Sequence, residues 1–214
     1  MKYDLHTHTK YSADGTLEPS VLVKIAIKQG LDGIAVTDHN TIRGGLCAKE
    51  YETPDFHVIV GSEISTERGE IIGLFLSEEI ITHDFREVIS EIRNQNGIVI
   101  LPHPFDNLRH SALFPGDSDA CLIDAVEGFN SRCLLQRDNE TARVYANRCH
   151  VSMTAGSDAH FRNEIGNAGV ITHDENLMSA IRQNSLELYG RKTRFMNPFM
   201  TKWLKLWREY SPKN

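Results

Sequence analysis

Short apolar runs alternate with amphipathic stretches along most of the chain. In the first of them Leu5 and Thr7 alternate with His6 and His8, the period of a strand. Over 17–29, Val21, Leu22, Ile25 and Ala26 recur at helical spacing. Thr16 offers a cap, Pro19 suits the first turn and Gly30 suits the exit. Gly33-Ile34-Ala35-Val36 reads as a buried strand, followed by a short helix over 42–50 and strands over 56–60 and 71–76. Helix 84–95 turns Val88, Ile89 and Ile92 inward, with Asp84 as cap. Further strands fall at 98–101, 123–128 and 151–155, with a loop of turn formers over 105–120 and a long helix over 133–149. Two short strands, 169–172 and 186–189, flank a helix near 175–183. Strands alternating with helices, with no linker or repeat between them, predict one parallel α/β domain over 1–196.

Beyond it, residues 197–214 predict a helical tail. Phe199, Met200, Trp203, Leu204 and Trp207 recur at helical spacing, with Lys202, Lys205 and Arg208 between them and Asn197-Pro198 as the start. Such a stripe suits packing on its own barrel, pairing with a second chain, or a membrane surface. The first is expected, and the chain is expected to be a monomer or homodimer without membrane contact.

Composition narrows the classes of partner. A net charge of −6 argues against a protein that grips nucleic acid through a basic surface. The four cysteines show no C-x-x-C spacing and read as reduced thiols of a cytoplasmic protein. The N-terminus enters a strand directly, so no signal peptide is expected. No apolar run reaches the ~20 residues of a membrane helix.

The chemistry-bearing residues gather where predicted strands end: His6 and His8, His39, Glu63, His103, Glu127, then Asp158 and His160. In α/β barrels active groups collect at the carboxyl ends of the strands. Two imidazoles side by side suit Zn, Fe, Mn or Ni.

The pieces His6-Thr7-His8 with Ser12-x-Asp14-Gly15, Thr37-Asp38-His39-Asn40, Gly61-Ser62-Glu63-Ile64-Ser65, Pro102-His103-Pro104, Glu127-x-x-Asn130 and Gly156-Ser157-Asp158-Ala159-His160 follow one another in this order. Together they resemble the PHP (polymerase and histidinol phosphatase) family of metal-dependent phosphoesterases. The resemblance implies a distorted seven-stranded (β/α) TIM-like barrel with two or three divalent ions, Mn, Fe or Zn, at the C-terminal face of its strands. It implies that His6, His8, Glu63 and Asp158 hold one ion. Glu63 would bridge to a second, shared with His103, while Asp14, His39 and His160 would hold a third. Glu70 stands where many relatives have a histidine and is expected to face the second ion. That carboxylate makes Zn less certain and Mn or Fe more plausible.

Metal-dependent hydrolysis of a phosphomonoester, a nucleotide or a short oligonucleotide end is the function this implies. No serine or cysteine nucleophile with a histidine base is recognisable. Asp14 or His160 would assist proton transfer; Glu127 is a further candidate catalytic residue and Asn130 a candidate to bind substrate, both lining the pocket. Arg132 and Arg162 are candidates to hold the phosphate, Lys10 and Arg43 weaker ones. Asp38 either orients a ligand histidine or caps the next helix. His57, His83, His110, His150 and His173 are expected to be surface or packed residues. The alternatives are a histidinol phosphatase, an exonuclease-like enzyme, and a non-catalytic RNA-binding or scaffold relative of the barrel. Residues 105–120 are the best candidate for a lid.

Overall fold

The structure is a computed structural model that describes residues 1–194 and 196–210; in the last helix the side chains of 202 and 205–210 are not described. Each predicted strand forms, and together they make one sheet of nine strands. These are β1 (Lys2–Thr7), β2 (Gly33–Val36), β3 (His57–Thr66), β4 (Gly69–Leu74), β5 (Ile98–Leu101), β6 (Ala125–Asn130), β7 (Ser152–Gly156), β8 (Ala168–Ile171) and β9 (Glu187–Gly190). Their order across the sheet is β7-β6-β5-β4-β3-β2-β1-β8-β9. The helices are α1 (Pro19–Lys28), α2 (Arg43–Lys49), α3 (Phe85–Asn94), α4 (Gln136–Cys149), α5 (Leu177–Arg182) and α6 (Met196–Tyr210).

The sheet curls until its ends nearly meet. Past β7, Ala159 bridges Thr7 in parallel, the His8 amide donates to the Ala159 carbonyl at 2.9 Å, and Asp158 N donates to His6 O at 2.8 Å. An apolar cluster draws Leu5, Ala35, Ile59, Ile72, Ile100, Ala125 and Ala155 from β1 through β7 in turn. Such a cluster is the filled interior of a barrel. Outside it, Phe85, Val88 and Ile92 of α3 and Tyr145 of α4 pack on Ile71, Val99 and Val126. Leu22, Val23 and Ala26 of α1 pack on Ile34, Val36 and Val58. Asp84 caps α3 as expected, accepting from Arg86 N and Glu87 N.

Three expectations need correction. The sheet has nine strands, not seven, because β8 and β9 extend it beyond β1. It is mixed rather than parallel: β4 runs antiparallel to both β3 and β5, and β8 to both β1 and β9. The cause at β4 is local. β3 continues to Thr66 and turns back through Glu67 and Arg68 to Gly69, whose φ of +133° suits glycine. Glu63 therefore lies inside a hairpin strand, not at a strand end. Thr16 does not cap α1; its hydroxyl donates to His160 O at 2.9 Å, and the helix starts at Pro19.

The loop over 105–120 ends in a 3-10 turn, Asp117–Leu122. In α6, Asn197 lies inside the helix rather than at its cap, and it is buried together with Thr201, while Phe199, Met200 and Trp203 are 49–66% exposed. Trp207, Lys202, Lys205 and Arg208 lie outside the residues whose side chains are described. Among the described residues no helix is long and apolar enough to cross a membrane. All four cysteines are free.

Candidate metal centre

The pairing of β1 with β2 slips by one residue between Asp4 and Thr7, a β-bulge. Bulges re-aim side chains beside functional sites. Beyond this one His6 and His8 converge, with their Nε2 atoms 3.1 Å apart. Each imidazole is held from behind by its other nitrogen. His6 Nδ1 lies 3.0 Å from Glu127 Oε1, and a carboxylate only accepts, so Nδ1 carries the hydrogen and Nε2 meets the cluster. His8 Nδ1 lies 3.1 Å from Ser12 Oγ. The Ser12 hydroxyl gives its hydrogen to Asp38 Oδ1 at 2.8 Å, so toward His8 it accepts. Asp38 thus fixes His8 through Ser12, and it also accepts from Thr9 N and Thr9 Oγ1, both at 2.6 Å. It does not cap α2, whose N-cap makes no side-chain hydrogen bond.

Glu63, fully buried, is the hub. Its Oε1 is 2.8 Å from His103 Nε2, and its Oε2 is 3.3 Å from both His6 Nε2 and His8 Nε2 and 3.2 Å from His39 Nδ1. Asp158 Oδ1 lies 3.4 Å from His8 Nε2 and 3.7 Å from His6 Nε2. Its Oδ2 accepts from Arg109 Nη2 at 2.8 Å. Glu70 Oε2 lies 3.6 Å from His103 Nε2, and Glu70 Oε1 3.7 Å from His39 Nδ1. Asp14 lies 3.3 Å from His160 Nε2 and 3.6 Å from His39 Nε2. His103 and Asp158 adopt φ of +29° and +55°, conformations that cost a non-glycine residue ~1–3 kcal/mol and recur at functional sites.

Crowded charges in a buried site shift the titrations in opposite senses. Burial pulls the His6 imidazolium down, but Glu127, Glu63 and Asp158 outweigh it and hold it well above its ordinary range. For His39 burial is likewise outweighed, by Glu63, Asp14 and Glu70, and its pKa is pushed up to about 10. Burial would raise Glu63, but His6 and His39 hold it well below the carboxylate range. Burial, and then the charge of Glu63, raise Glu70. Burial, Arg132 and His8 push His160 down to about 4 against the opposing pull of Asp14.

The donor set fits divalent cations. Four triads each bring their ligand atoms within 4.8 Å of one another: His6-His8-Asp158, His6-Glu63-His103, His39-Glu63-Glu70 and His8-His39-His160. That spacing suits atoms placed about 2.0–2.3 Å from a shared ion. Asp14 Oδ1, Glu70 Oε2 and Asp158 Oδ1 are buried carboxylate oxygens without a hydrogen-bond partner, and all belong to this cluster. Buried acceptors are normally satisfied, and a cation between them would satisfy these.

Above the cluster opens a cavity of about 390 Å³, lined among others by Asp14, His39, Glu70, Arg109, Arg132 and His160.

A family model of the PHP domain matches residues 4–192. The chain belongs to the PHP domain family. An uncharacterised protein of Methanocaldococcus jannaschii is 33% identical over 221 residues, which span 95% of this chain and 89% of the relative. The 5'-3' exoribonuclease Rnm of Escherichia coli is 38% identical over 109 residues, 46% of this chain but 36% of that enzyme. Among solved structures, a two-domain protein from Bacteroides vulgatus, described as containing a predicted PHP-like metal-dependent phosphoesterase, superposes with a TM-score of 0.74 at 22% identity. The match covers 89% of this chain and 65% of that one.

In this PHP chain every residue expected to hold metal turns to the one cluster. The expected pocket residues divide. Arg132 lines the cavity. Glu127 and Asn130 do not; they stand behind the cluster. Glu127 Oε2 accepts from His103 N at 2.8 Å and Asn130 Nδ2 at 2.9 Å, and Asn130 Oδ1 accepts from Arg132 N at 2.8 Å. Arg162 is exposed and borders a different cavity, beside Thr16, Glu18 and Val21. His110, expected to stand apart, is on the rim. Sequence reasoning missed Arg109, which lies in the irregular stretch after His103. It also missed Glu164, a fully buried carboxylate that accepts from His160 N at 2.9 Å and Phe161 N at 3.0 Å. The spacing His160-x-x-x-Glu164 was the available signal.

Proposed function

We propose that this chain is a metal-dependent phosphoesterase that removes a terminal phosphate, or the terminal nucleotide, from a nucleotide or short oligonucleotide end. The observation that carries this reading is the set of unpartnered carboxylate oxygens among buried imidazoles beneath a cavity that also receives two arginines. Divalent ions bound there would lower the pKa of a water toward ~7 and offset the charge of a phosphate. His6, His8, Glu63, His103 and Asp158 would hold them, with His39, Glu70, Asp14 and His160 on the cavity side.

The remaining work falls to side chains. Arg109 and Arg132 bind and orient the phosphate, since guanidinium forks match its oxygens. His160 and Asp14, facing each other at 3.3 Å on the cavity wall and both unprotonated at neutral pH, take up the proton of the attacking water and relay it to the leaving oxygen. The loop over 106–111 and the start of α6 form the sides of the cavity. A cavity near 390 Å³ is at the small end of ligand pockets, which supports a small molecule or a strand end over an internal site of a long chain. The net charge of −6 supports the same choice.

The test is a screen of Mn-loaded protein over phosphomonoesters, mononucleotides and 5'-phosphorylated oligonucleotides, scored for released phosphate and mononucleotide. A closed circular strand is expected to survive. Full metal loading without turnover of any phosphoester would favour the non-catalytic relative instead.

A further inference from the structure

The C-terminal segment does not leave the molecule after β9. Ser131 Oγ donates to Arg191 O, Thr193 N donates to Ser131 O at 2.9 Å, and Thr193 Oγ1 donates to Glu164 Oε1 at 2.8 Å. Asn197 Nδ2 then donates to Asn163 Oδ1 at 3.3 Å, and α6 brings Pro198 and Thr201 into the cavity wall. Thr201 is 7% exposed on a helix whose outer residues, Met196 and Trp203, are 62% and 66% exposed. A buried polar residue at that position meets a specific partner, the guanidinium of Arg132.

Arg132 Nη2 donates to Thr201 Oγ1 at 2.6 Å, while the Thr201 hydroxyl passes its own hydrogen to Asn197 O at 3.2 Å. The hydroxyl is therefore turned to accept. Arg132 Nη1 lies against His160 Nδ1 and 3.4 Å from Asp158 O. Its Nε is buried, unbonded, and 3.6 Å from Glu164 Oε1. Arg68 offers a contrast: both its terminal nitrogens fork onto Asp119, at 2.9 and 2.8 Å. Among the described residues no carboxylate closes such a fork on Arg132. Its terminal nitrogens carry four N–H groups, and Thr201, the Asp158 carbonyl and His160 Nδ1 engage three of them. The fourth, on Nη2, remains for a ligand in the cavity.

We propose that Thr201 is a positioning residue that holds Arg132 for the terminal phosphate of the substrate, which makes the C-terminal helix a wall of the substrate site. This rests on the phosphoesterase reading and adds to it a substrate-binding role for the tail. The hydroxyl itself touches Arg132 and none of the cluster residues, so its removal acts first on binding of the phosphate.

The experiment uses the full chain loaded with Mn and three versions: wild type, Thr201→Val, which keeps the shape and removes the hydroxyl, and Thr201→Ser, which restores it. Inorganic phosphate is the binding probe, titrated calorimetrically. A phosphomonoester turned over by the wild type is the kinetic probe. Thr201→Val is expected to weaken phosphate binding and raise KM about tenfold, as for loss of one charge-assisted hydrogen bond. Its kcat should stay within about twofold, with Mn content unchanged, and Thr201→Ser should recover wild-type KM. A Thr201→Val protein with wild-type phosphate affinity and KM would overturn the proposal. So would one that loses kcat and Mn together, because that is the mark of a structural defect. A wild type that turns over no phosphoester fails at the earlier reading, and this proposal falls with it; an active wild type beside an indifferent Thr201→Val fails here alone.

Discussion

Replacing Glu127 by glutamine changes one atom behind the cluster and tests how the ligand histidines are aimed. Glu127 Oε2 accepts from two fixed donors, His103 N at 2.8 Å and Asn130 Nδ2 at 2.9 Å. In Glu127→Gln the carbonyl oxygen must stay on that side, since an amide NH2 there would face two donors. The NH2 then faces His6 Nδ1, 3.0 Å away in the wild type. His6 can answer in two ways. It can keep its hydrogen on Nδ1 and leave two donors opposed in a site where Glu127 is 2% exposed, which costs ~1–3 kcal/mol. Or it can move the hydrogen to Nε2 and present it, instead of a lone pair, to the ion. Either route weakens the metal. Partners behind a ligand histidine are typically worth 10–100-fold in metal affinity, about 1.4–2.7 kcal/mol.

The assay is competition between metal-free protein and a chelating indicator for Mn, with circular dichroism and the melting temperature as controls for folding. A fall of 10–100-fold in affinity, with the spectrum unchanged, is expected. A Glu127→Gln protein that binds Mn with wild-type affinity and stoichiometry would refute the reasoning, and with it the claim that Glu127 sets the tautomer of His6.

Other outcomes follow from the same geometry. His8→Ala and Asp158→Ala are each expected to abolish phosphoester turnover and reduce the bound metal measured by elemental analysis, while His83→Ala, an exposed residue, changes neither. Gly156→Ala would put a methyl group 2.3 Å from His6 Cβ and 2.9 Å from Glu127 Oε1. Overpacking of this kind costs ~1–3 kcal/mol, so a melting temperature lowered by several degrees and weaker Mn binding are expected. Metal affinity should rise with pH between about 6 and 9. In the metal-free chain burial lowers His39 but Glu63, Asp14 and Glu70 hold it up at about 10, so an ion must displace a proton that higher pH removes. Calorimetry in buffers of different ionisation enthalpy measures the release, and binding without proton release would contradict the charge balance described for the cluster.

The residues of the cluster were legible in the sequence because donor chemistry is local. An imidazole or carboxylate beside a strand end carries its own signal, and His6, His8, His39, His103 and Asp158 lie at strand ends. Glu63 joins the cluster as expected but lies elsewhere in the fold than expected, since β3 runs on into a hairpin. The groups that aim the ligands were harder to read, because each belongs to a partner far along the chain. His6 and Glu127 are 121 residues apart, Arg132 and Thr201 are 69 apart, and Arg109 and Asp158 are 49 apart. No period or motif links such pairs; only the closure of the barrel and the return of the tail bring them together. Arg162 shows the converse error. It is two residues from His160 in sequence, yet Glu164 accepts from the His160 and Phe161 amides and turns the loop so that Arg162 points to solvent. Asp38 lies between. Its motif admitted a cap or an orienting carboxylate, and the choice depended on Ser12, which passes its hydrogen to Asp38 and accepts from His8. A cluster can therefore be read from residue type while its support is misread. The two make different demands: a ligand needs only the right donor at the right end of a strand, whereas its support needs a specific pair of distant segments to meet.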